Sequence, residues 1–424
     1  MALGYPVYTF FFRLLLPFIV LRLFIKSIRE PAYRMHLAER FGQVKAHGEH
    51  PVWLHAVSVG ELQAAFDLMH YYHNQGHPLL ITTTTGAGRI TADKLYGNMA
   101  TVSYLPYDDP TFVHSFLKGY LPKIALIMET ELWPNLIRAA KRLSIPVWII
   151  NGRLSPKSVK RYQIITKTTK KMLNDLSGII VQSETDYQRY KAIGAVDSIF
   201  ISGNLKFDRK PDVRLIELGQ QWKKQMGNHP WVVFASTREG EEALILQIIR
   251  PLIDQQIHIL IVPRHPARFD EVARLIEKQG FCCQRRSINT FTDNTPNSIW
   301  LGDSLGEMTA YYSLADVAII GGSWLAFGGQ NPIEAMMVHK PVIIGPSTEH
   351  FFDVVSQANN IGAIFQMDDL ADAIKKILEL LKNAETYQEA VDAGQVFLKM
   401  HQGALQKTID YLAIPAPVHT DTEI

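Results

Sequence analysis

From residue 51 onward the chain alternates short runs of aliphatic and β-branched residues with longer amphipathic stretches, and it does so in two series. Segments 51–57, 78–83, 123–128, 145–150 and 178–182 form the first series. Each is apolar at nearly every position, as parallel strands covered on both faces are. Helical patterns such as 61–72 and 134–142 lie between them. The regularity lapses in GNLKFDRKPDVR near residue 210, and after a helix over 215–226 a second series follows at 230–235, 257–262, 298–301, 315–320 and 340–344. Such βα alternation predicts parallel sheets with helices on both faces. A chain of 424 residues exceeds one ordinary core, so the two series predict two Rossmann-like α/β domains joined near residue 210. Sites in such sheets lie beyond the carboxyl ends of the strands, and a ligand between the domains would touch loops from both.

Composition narrows the function classes. Residues AVILMFWYC reach 47% and charged residues 20%, against roughly 25% charged in an average soluble protein, which excludes a disordered or fibrous chain. The formal charge of +2 is uneven: residues 1–34 hold Arg13, Arg22, Lys26, Arg29 and Arg34 against Glu30 alone, a net +4, so the remainder is slightly acidic. A nucleic-acid-coating protein would carry its basic excess through the folded body, so no nucleic-acid partner is expected. The two cysteines, Cys282 and Cys283, are neighbours and suit a reducing compartment. No GxxxxGKS or GxxxxGKT loop, no GxGxxG after the first strand, no HExxH and no zinc-spaced cysteine pair occurs, which weakens ATPase, dehydrogenase and zinc-hydrolase readings. Asp108 and Asp109 read as loop residues rather than metal ligands.

The N-terminus carries YPVYTFFFRLLLPFIVLRLFI, about long enough to cross a bilayer. Arg13 and Arg22 would each cost about 2.5–3.5 kcal/mol at the centre of an inserted helix, and Pro6 and Pro17 interrupt the run, so a helix seated in one leaflet competes with a full crossing. A packed core helix and a cleavable signal are the other readings, although no small-residue cleavage site follows Ile25. The basic cluster after Ile25 would hold the following domain on the cytoplasmic face of a membrane, where anionic headgroups also attract it.

Several strand ends carry chemistry. Glu61 follows HAVSVG at a strand-to-helix turn; it either complements the helix dipole or serves as a general base, and the residues leave both open. Glu129 and Glu131 flank Thr130 at another strand end, with Pro134 suited to a first helical position. Strand alternation would point the two acids the same way if the strand continued, but the turn that follows leaves their geometry open. Residues 153–171 hold seven basic residues and no acid, which is either a solvated helix face or a patch for phosphates. In the second series Arg264 follows a strand and can fork onto a phosphate. Gly321, Gly322, Gly328 and Gly329 let backbone approach a ligand, with Asn331 suited to a helix N-cap, Pro332 to the first position, and Glu334 to a capping-box or ribose role. A nucleotide site follows from these placements.

The strings HAVSVGE, LPYD, METELWPN, NGRLS, GNLKFD, VPRHPARF, GDSLGEM and GGQNPIEA, with an apolar segment ahead of PAYR, resemble the 3-deoxy-D-manno-octulosonic acid (Kdo) transferases of lipopolysaccharide assembly. The resemblance runs from the apolar segment to about residue 405. It implies a GT-B architecture: two Rossmann-like domains facing each other across a cleft, behind an N-terminal membrane-anchor helix. The expected division is an anchor over 1–34, an acceptor domain over 35–210, a CMP-sugar domain over 211–410 and a flexible tail over 411–424.

The same resemblance implies CMP-Kdo as donor and the lipid A precursor as acceptor. It makes Glu61 the proton acceptor and gives Glu129 and Lys206 transition-state roles. It places CMP on Pro263 and Arg264, on Gly306, Glu307 and Met308, and on Asn331, Pro332, Ile333 and Glu334. The basic run, through Arg153, Lys157, Lys160 and Arg161, would face acceptor phosphates; Gly152 and Pro156-Lys157 depart from the family pattern there. No cofactor or divalent metal is implied, because cationic side chains can meet the charge on departing CMP. A UDP-sugar-dependent GT-B transferase and a catalytically silent membrane scaffold are the alternatives.

Overall fold

A computed structural model of the chain describes residues 5–29, 31–44, 50–195, 198–227, 229–288 and 297–415. The first sheet contains β1 (Val52–His55), β2 (Leu79–Thr83), β3 (Thr101–Tyr104), β4 (Ile124–Met128), β5 (Val147–Gly152), β6 (Gly178–Val181) and β7 (Ile199–Ile201). Their order is β3-β2-β1-β4-β5-β6-β7, every neighbouring pair parallel. The second contains β8 (Trp231–Thr237), β9 (His258–Pro263), β10 (Cys282–Arg285), β11 (Ser298–Leu301), β12 (Val317–Ile320), β13 (Val342–Ile344) and β14 (Ile364–Gln366). It runs β10-β11-β9-β8-β12-β13-β14, again parallel throughout. This is an α/β fold with two doubly wound sheets.

In each sheet the winding direction reverses once, between β1 and β4 in the first and between β8 and β12 in the second. Loops leaving two strands on opposite sides of such a reversal part at the carboxyl edge, and a crevice opens there. Each sheet therefore has one place where ligand-binding loops converge. Four strands that the apolar pattern did not reveal, β3, β7, β10 and β14, are the four sheet edges. An edge strand pairs on one side only, so TVSY and CCQR can carry polar residues that a central strand would exclude.

The chain forms two compact units, Met1–Arg209 with Gln402–Ile424, and Lys210–His401. The helix Ala404–Leu412 thus belongs to the first unit, although the sequence placed residues through 410 with the second. The reason is local. The Asp208 carboxylate accepts the Gly403 and Leu405 N–H groups at 2.6 Å each, Tyr411 stacks on Phe200 at 4.5 Å, and Leu412 is buried. Within the expected flexible tail, Tyr411 and Leu412 are helical and 416–424 lie outside the described residues.

The expected anchor is one helix, Tyr5–Arg29, with Pro17 inside it. Tyr5, Thr9 and Arg13 recur every four residues and so share a face. That face meets the first unit: Tyr5 Oη reaches Asp175 at 3.4 Å, Thr9 Oγ1 reaches Asn135 Oδ1 at 3.1 Å, and Arg13 Nε reaches Asp109 at 2.6 Å. Phe10, Phe11, Leu14, Leu15, Phe18, Leu21, Ile25 and Ile28 remain exposed.

Candidate functional site

At the reversal of the first sheet, β1 runs through Ala56 and Val57 into the helix Val59–Ala64. Ser58 caps that helix, its hydroxyl accepting the Glu61 N–H at 3.2 Å, while Val57 N–H donates to Glu61 Oε2 at 2.8 Å. Glu61 is therefore both a helix-start carboxylate and a group aimed back at the strand end. The helix expected over 61–72 breaks at Ala65, and a second helix runs Phe66–Asn74. Burial raises the pKa of Glu61, and the neighbouring Glu129 carboxylate raises it further; the Val57 N–H, Ser58 and Lys206 pull the other way.

Glu129 ends β4 in a left-handed conformation, φ 54°. Strand alternation stops there, at the turn that follows β4, so the pleat does not set the relative direction of Glu129 and Glu131. The conformation is held from several sides. Glu129 N–H donates to Ile150 O at 3.0 Å, Tyr190 Oη donates to Glu129 O at 3.2 Å, and the Thr130 hydroxyl donates to Arg153 O. Lys206 Nζ lies 3.7 Å from Glu129 Oε1. Lys206 is placed by a short 3-10 turn, Leu205–Phe207, whose N–H groups are taken by Asn151 Oδ1 at Leu205 and by Asn204 Oδ1 at Lys206. Asn151 itself is fully buried at the end of β5 with φ 50°. The fold thus gathers Glu61, Glu129 and Lys206, from three distant segments, at one strand edge. Glu131 joins them electrostatically: burial, then Glu61 and Glu129, push its carboxyl up to about 7.

In the second unit Pro263 is buried at the end of β9, and exposed Arg264 follows, its N–H donating to Thr237 O at 2.9 Å. Arg238, at the end of β8, lies beside it: His265 is held below its usual range by burial and then by Arg238 and Arg264 together. The Arg238 guanidinium also sits 4.5 Å from the Phe327 ring centre. The glycine segment folds onto this edge, Gly329 N–H donating to Gly322 O at 2.7 Å and Gln330 N–H to Gly321 O at 3.1 Å. Gly321 cannot be larger, because a Cβ there would lie 2.7 Å from Thr237 Cα.

The helix after this segment is Ile333–Met337, with Pro332 at the N-cap rather than in the first turn. Asn331 Oδ1 still accepts Ile333 N–H at 3.1 Å, and its Nδ2 donates to Glu334 Oε1 at 3.2 Å. Asn331 was expected as the cap; instead its short side chain closes a turn one residue earlier and orients Glu334. Fully buried Tyr312 feels both Glu334 and Arg264, which brings these two segments to the same place. Ile333 is buried as a core residue. Gly306 has φ 84°, Met308 opens the helix Met308–Leu314, and Glu307 is engaged by Arg286 at 2.9 Å and by the Ser304 hydroxyl. That helix packs on Ile333–Met337.

Two residues absent from the sequence reading hold this edge together. Fully buried Glu241 accepts N–H groups from Arg238 at 2.8 Å, Gly322 at 2.7 Å and Trp324 at 2.9 Å. Its neighbour Glu242, also buried, binds Arg268 at 2.7 and 3.0 Å. Two acids opening a helix read as dipole complements; nothing in TREGEE distinguishes them from surface residues. Asp108 and Asp109 lie in the loop ahead of the helix Pro110–Tyr120, as expected, and both are buried. Asp108 accepts Asn135 N–H at 3.0 Å and Leu136 N–H at 2.8 Å, and Asp109 caps the helix Pro110–Tyr120 while binding Arg13. The basic run forms the helices Pro156–Ile164 and Thr166–Asp175. Lys157, Lys160 and Arg161 are exposed on the first, and Arg153 is half-buried ahead of it.

Residues 35–209 match the family model for 3-deoxy-D-manno-octulosonic-acid transferases (kdotransferase), and residues 290–397 match glycosyl transferases group 1. The chain is 35% identical to the 3-deoxy-D-manno-octulosonic acid transferase of Bordetella pertussis, over 97% of this chain and 99% of that one. It is 34% identical to that of Haemophilus influenzae, over 96% and 98%. Among solved structures, a glycosyltransferase from Rickettsia africae matches with TM-score 0.59 and 16% identity over 87% of this chain and 99% of that one. HepE from Anabaena in complex with UDP matches with TM-score 0.59 and 13% identity over 86% and 99%. These last two show a shared fold.

Proposed function

As the chain belongs to the 3-deoxy-D-manno-octulosonic acid transferase family, we propose that it moves Kdo from CMP-Kdo to the lipid A precursor at the cytoplasmic face of the inner membrane. The observation that carries the reading is the gathering of Glu61, Glu129 and Lys206 where the first sheet reverses. Glu61 is the proton acceptor. Its raised pKa makes it a stronger base than an exposed carboxylate, and the Val57 N–H bond fixes its direction. The acceptor hydroxyl gives its proton to Glu61 as its oxygen bonds to the anomeric carbon of Kdo. The bond from that carbon to the phosphate oxygen breaks with its electron pair, and CMP leaves in one inverting displacement.

Lys206 and Glu129 form a half-buried ion pair that sets the field around Glu61. Lys206 lowers the cost of negative charge there, and Glu129 holds the ammonium in place. In the second unit, Arg264 and the 328–334 segment recognise CMP, with Arg238 as a second guanidinium for its phosphate. Cationic side chains carry the charge in this reading, and no metal is assigned a role. Lys157, Lys160 and Arg161 offer the acceptor's phosphates an exposed basic helix. The N-terminal helix rests in one leaflet: Thr9 and Arg13 are tied to the folded unit, so the exposed Phe and Leu side chains meet lipid while the helix stays beside the domain.

The test is transfer itself. Purified full-length protein with CMP-Kdo and lipid A precursor should release CMP and extend the lipid. Productive use of a UDP-sugar with no use of CMP-Kdo would replace this reading by another lipid glycosyltransferase.

A further inference from the structure

We propose that the N-terminal helix is a positioning element for the acidic loop at residues 129–131, in addition to being a tether; the proposal rests on the transferase reading above. A tether needs only an apolar surface and a linker. This helix instead spends a stripe of polar residues, Tyr5, Thr9 and Arg13, on the first unit. The partners of Thr9 and Arg13, Asn135 and Asp109, are 5% and 4% exposed. Asn135 lies in the first turn of the helix Pro134–Arg142, which begins directly after the acidic loop.

The contacts form a connected set. Thr9 Oγ1 donates to Asn135 Oδ1 at 3.1 Å, and Asn135 Nδ2 donates to Asp108 O at 2.6 Å. The Asp108 carboxylate takes the N–H groups of Asn135 and Leu136, and Tyr8 of the N-terminal helix also reaches Asp108. Next door, Arg13 binds Asp109 through Nε at 2.6 Å and through its second guanidinium nitrogen at 3.3 Å. The N-terminal helix therefore clamps the downstream flank of the loop. Upstream, β4 and the Tyr190 contact clamp the other side. Glu129 keeps its left-handed φ of 54° between these clamps. Such a conformation persists only where the surroundings fix both flanks, so loosening one lets Glu129 relax and carries its carboxylate away from Lys206 and Glu61.

The experiment uses full-length protein in detergent micelles, with initial rates at varied CMP-Kdo. Thr9→Val combined with Arg13→Gln removes the clamp's contacts to Asn135 and Asp109, keeps those of Tyr5 and Tyr8, and leaves the outward apolar face intact. The expected result is a kcat lowered about tenfold or more, a donor KM changed less than about twofold, and sedimentation with membranes retained. Thr9→Ser combined with Arg13→Lys should restore kcat. A kcat within twofold of wild type for the valine and glutamine pair would overturn the proposal. If that pair does not fold, Thr9→Val alone decides: kcat must fall at least about threefold, and an unchanged kcat overturns the role. Wild-type protein run alongside separates the two claims. An inactive wild type refutes the transferase reading, whereas an active wild type with an equally active variant refutes only the positioning.

Discussion

Glu61 experiences opposed influences whose balance sets its usefulness as a base. Burial and Glu129 favour its protonated form, whereas the Val57 N–H, Ser58 and Lys206 favour the carboxylate. Replacing it with Gln keeps the size and removes the base. Turnover should fall by about 10²–10⁴-fold while CMP affinity, measured by calorimetry, is retained. The neighbours move its titration in predictable directions. A base is active when deprotonated, so kcat/KM rises with pH through its pKa. Removing the like charge with Glu129→Gln should lower that pKa and shift the acid limb to lower pH. Removing the favourable charge with Lys206→Met should shift it to higher pH. The pH–rate profiles of the two variants check both signs. The place of Glu61 at a strand-to-helix turn was legible in HAVSVGE, but its role as a base was not, because the residues left it open against a dipole complement and only the family resemblance chose between them. The left-handed turn at Glu129 was not legible, since it depends on Tyr190, 61 residues from Glu129, and on Arg153, 23 residues from Thr130.

At the scale of elements, central strands were readable because both faces are covered, and the edges were not, because half their environment is solvent. The same rule explains Glu241, whose role appears only when Gly322 and Trp324 return from 81 and 83 residues further along. Its two oxygens accept three N–H groups, and Gln offers one oxygen and an amide NH2 that can only donate. Glu241→Gln therefore sets a donor against a donor, a cost of about 1–3 kcal/mol. Nucleotide affinity should weaken by roughly tenfold or more in a titration with CMP, and the midpoint of thermal unfolding should fall. The last helix carries a parallel lesson. Its sequence follows the second unit, but its capping acceptor, Asp208, and its stacking partner, Phe200, belong to the first. Truncation after Gly403 should destabilise the first unit by on the order of 2–4 kcal/mol, seen as an earlier unfolding transition with CMP binding retained.

For the whole molecule, a nearly neutral composition conceals a division of labour. The first unit holds the basic helix and the acidic cluster with its lysine, the second holds the guanidinium and glycine edge, and the N-terminal helix presents an apolar face outward. Substituting Ser at Phe10, Phe18 and Leu21, 65%, 67% and 58% exposed, removes exposed apolar surface without touching the polar stripe. Each fully buried side chain of this kind is worth roughly 1.5–3 kcal/mol, so the triple variant should partition out of anionic vesicles in a flotation assay and remain folded. The proposed function stands on one step, transfer of Kdo from CMP-Kdo to a lipid acceptor driven by Glu61. Mass spectrometry of the lipid A precursor, sampled when the wild-type reaction has just run to completion, reads that step. A lipid heavier by Kdo is expected with wild-type protein and at most about one per cent of it extended with Glu61→Gln, in line with the lower turnover. An unmodified lipid with wild type, or full extension by the Gln variant, would contradict it.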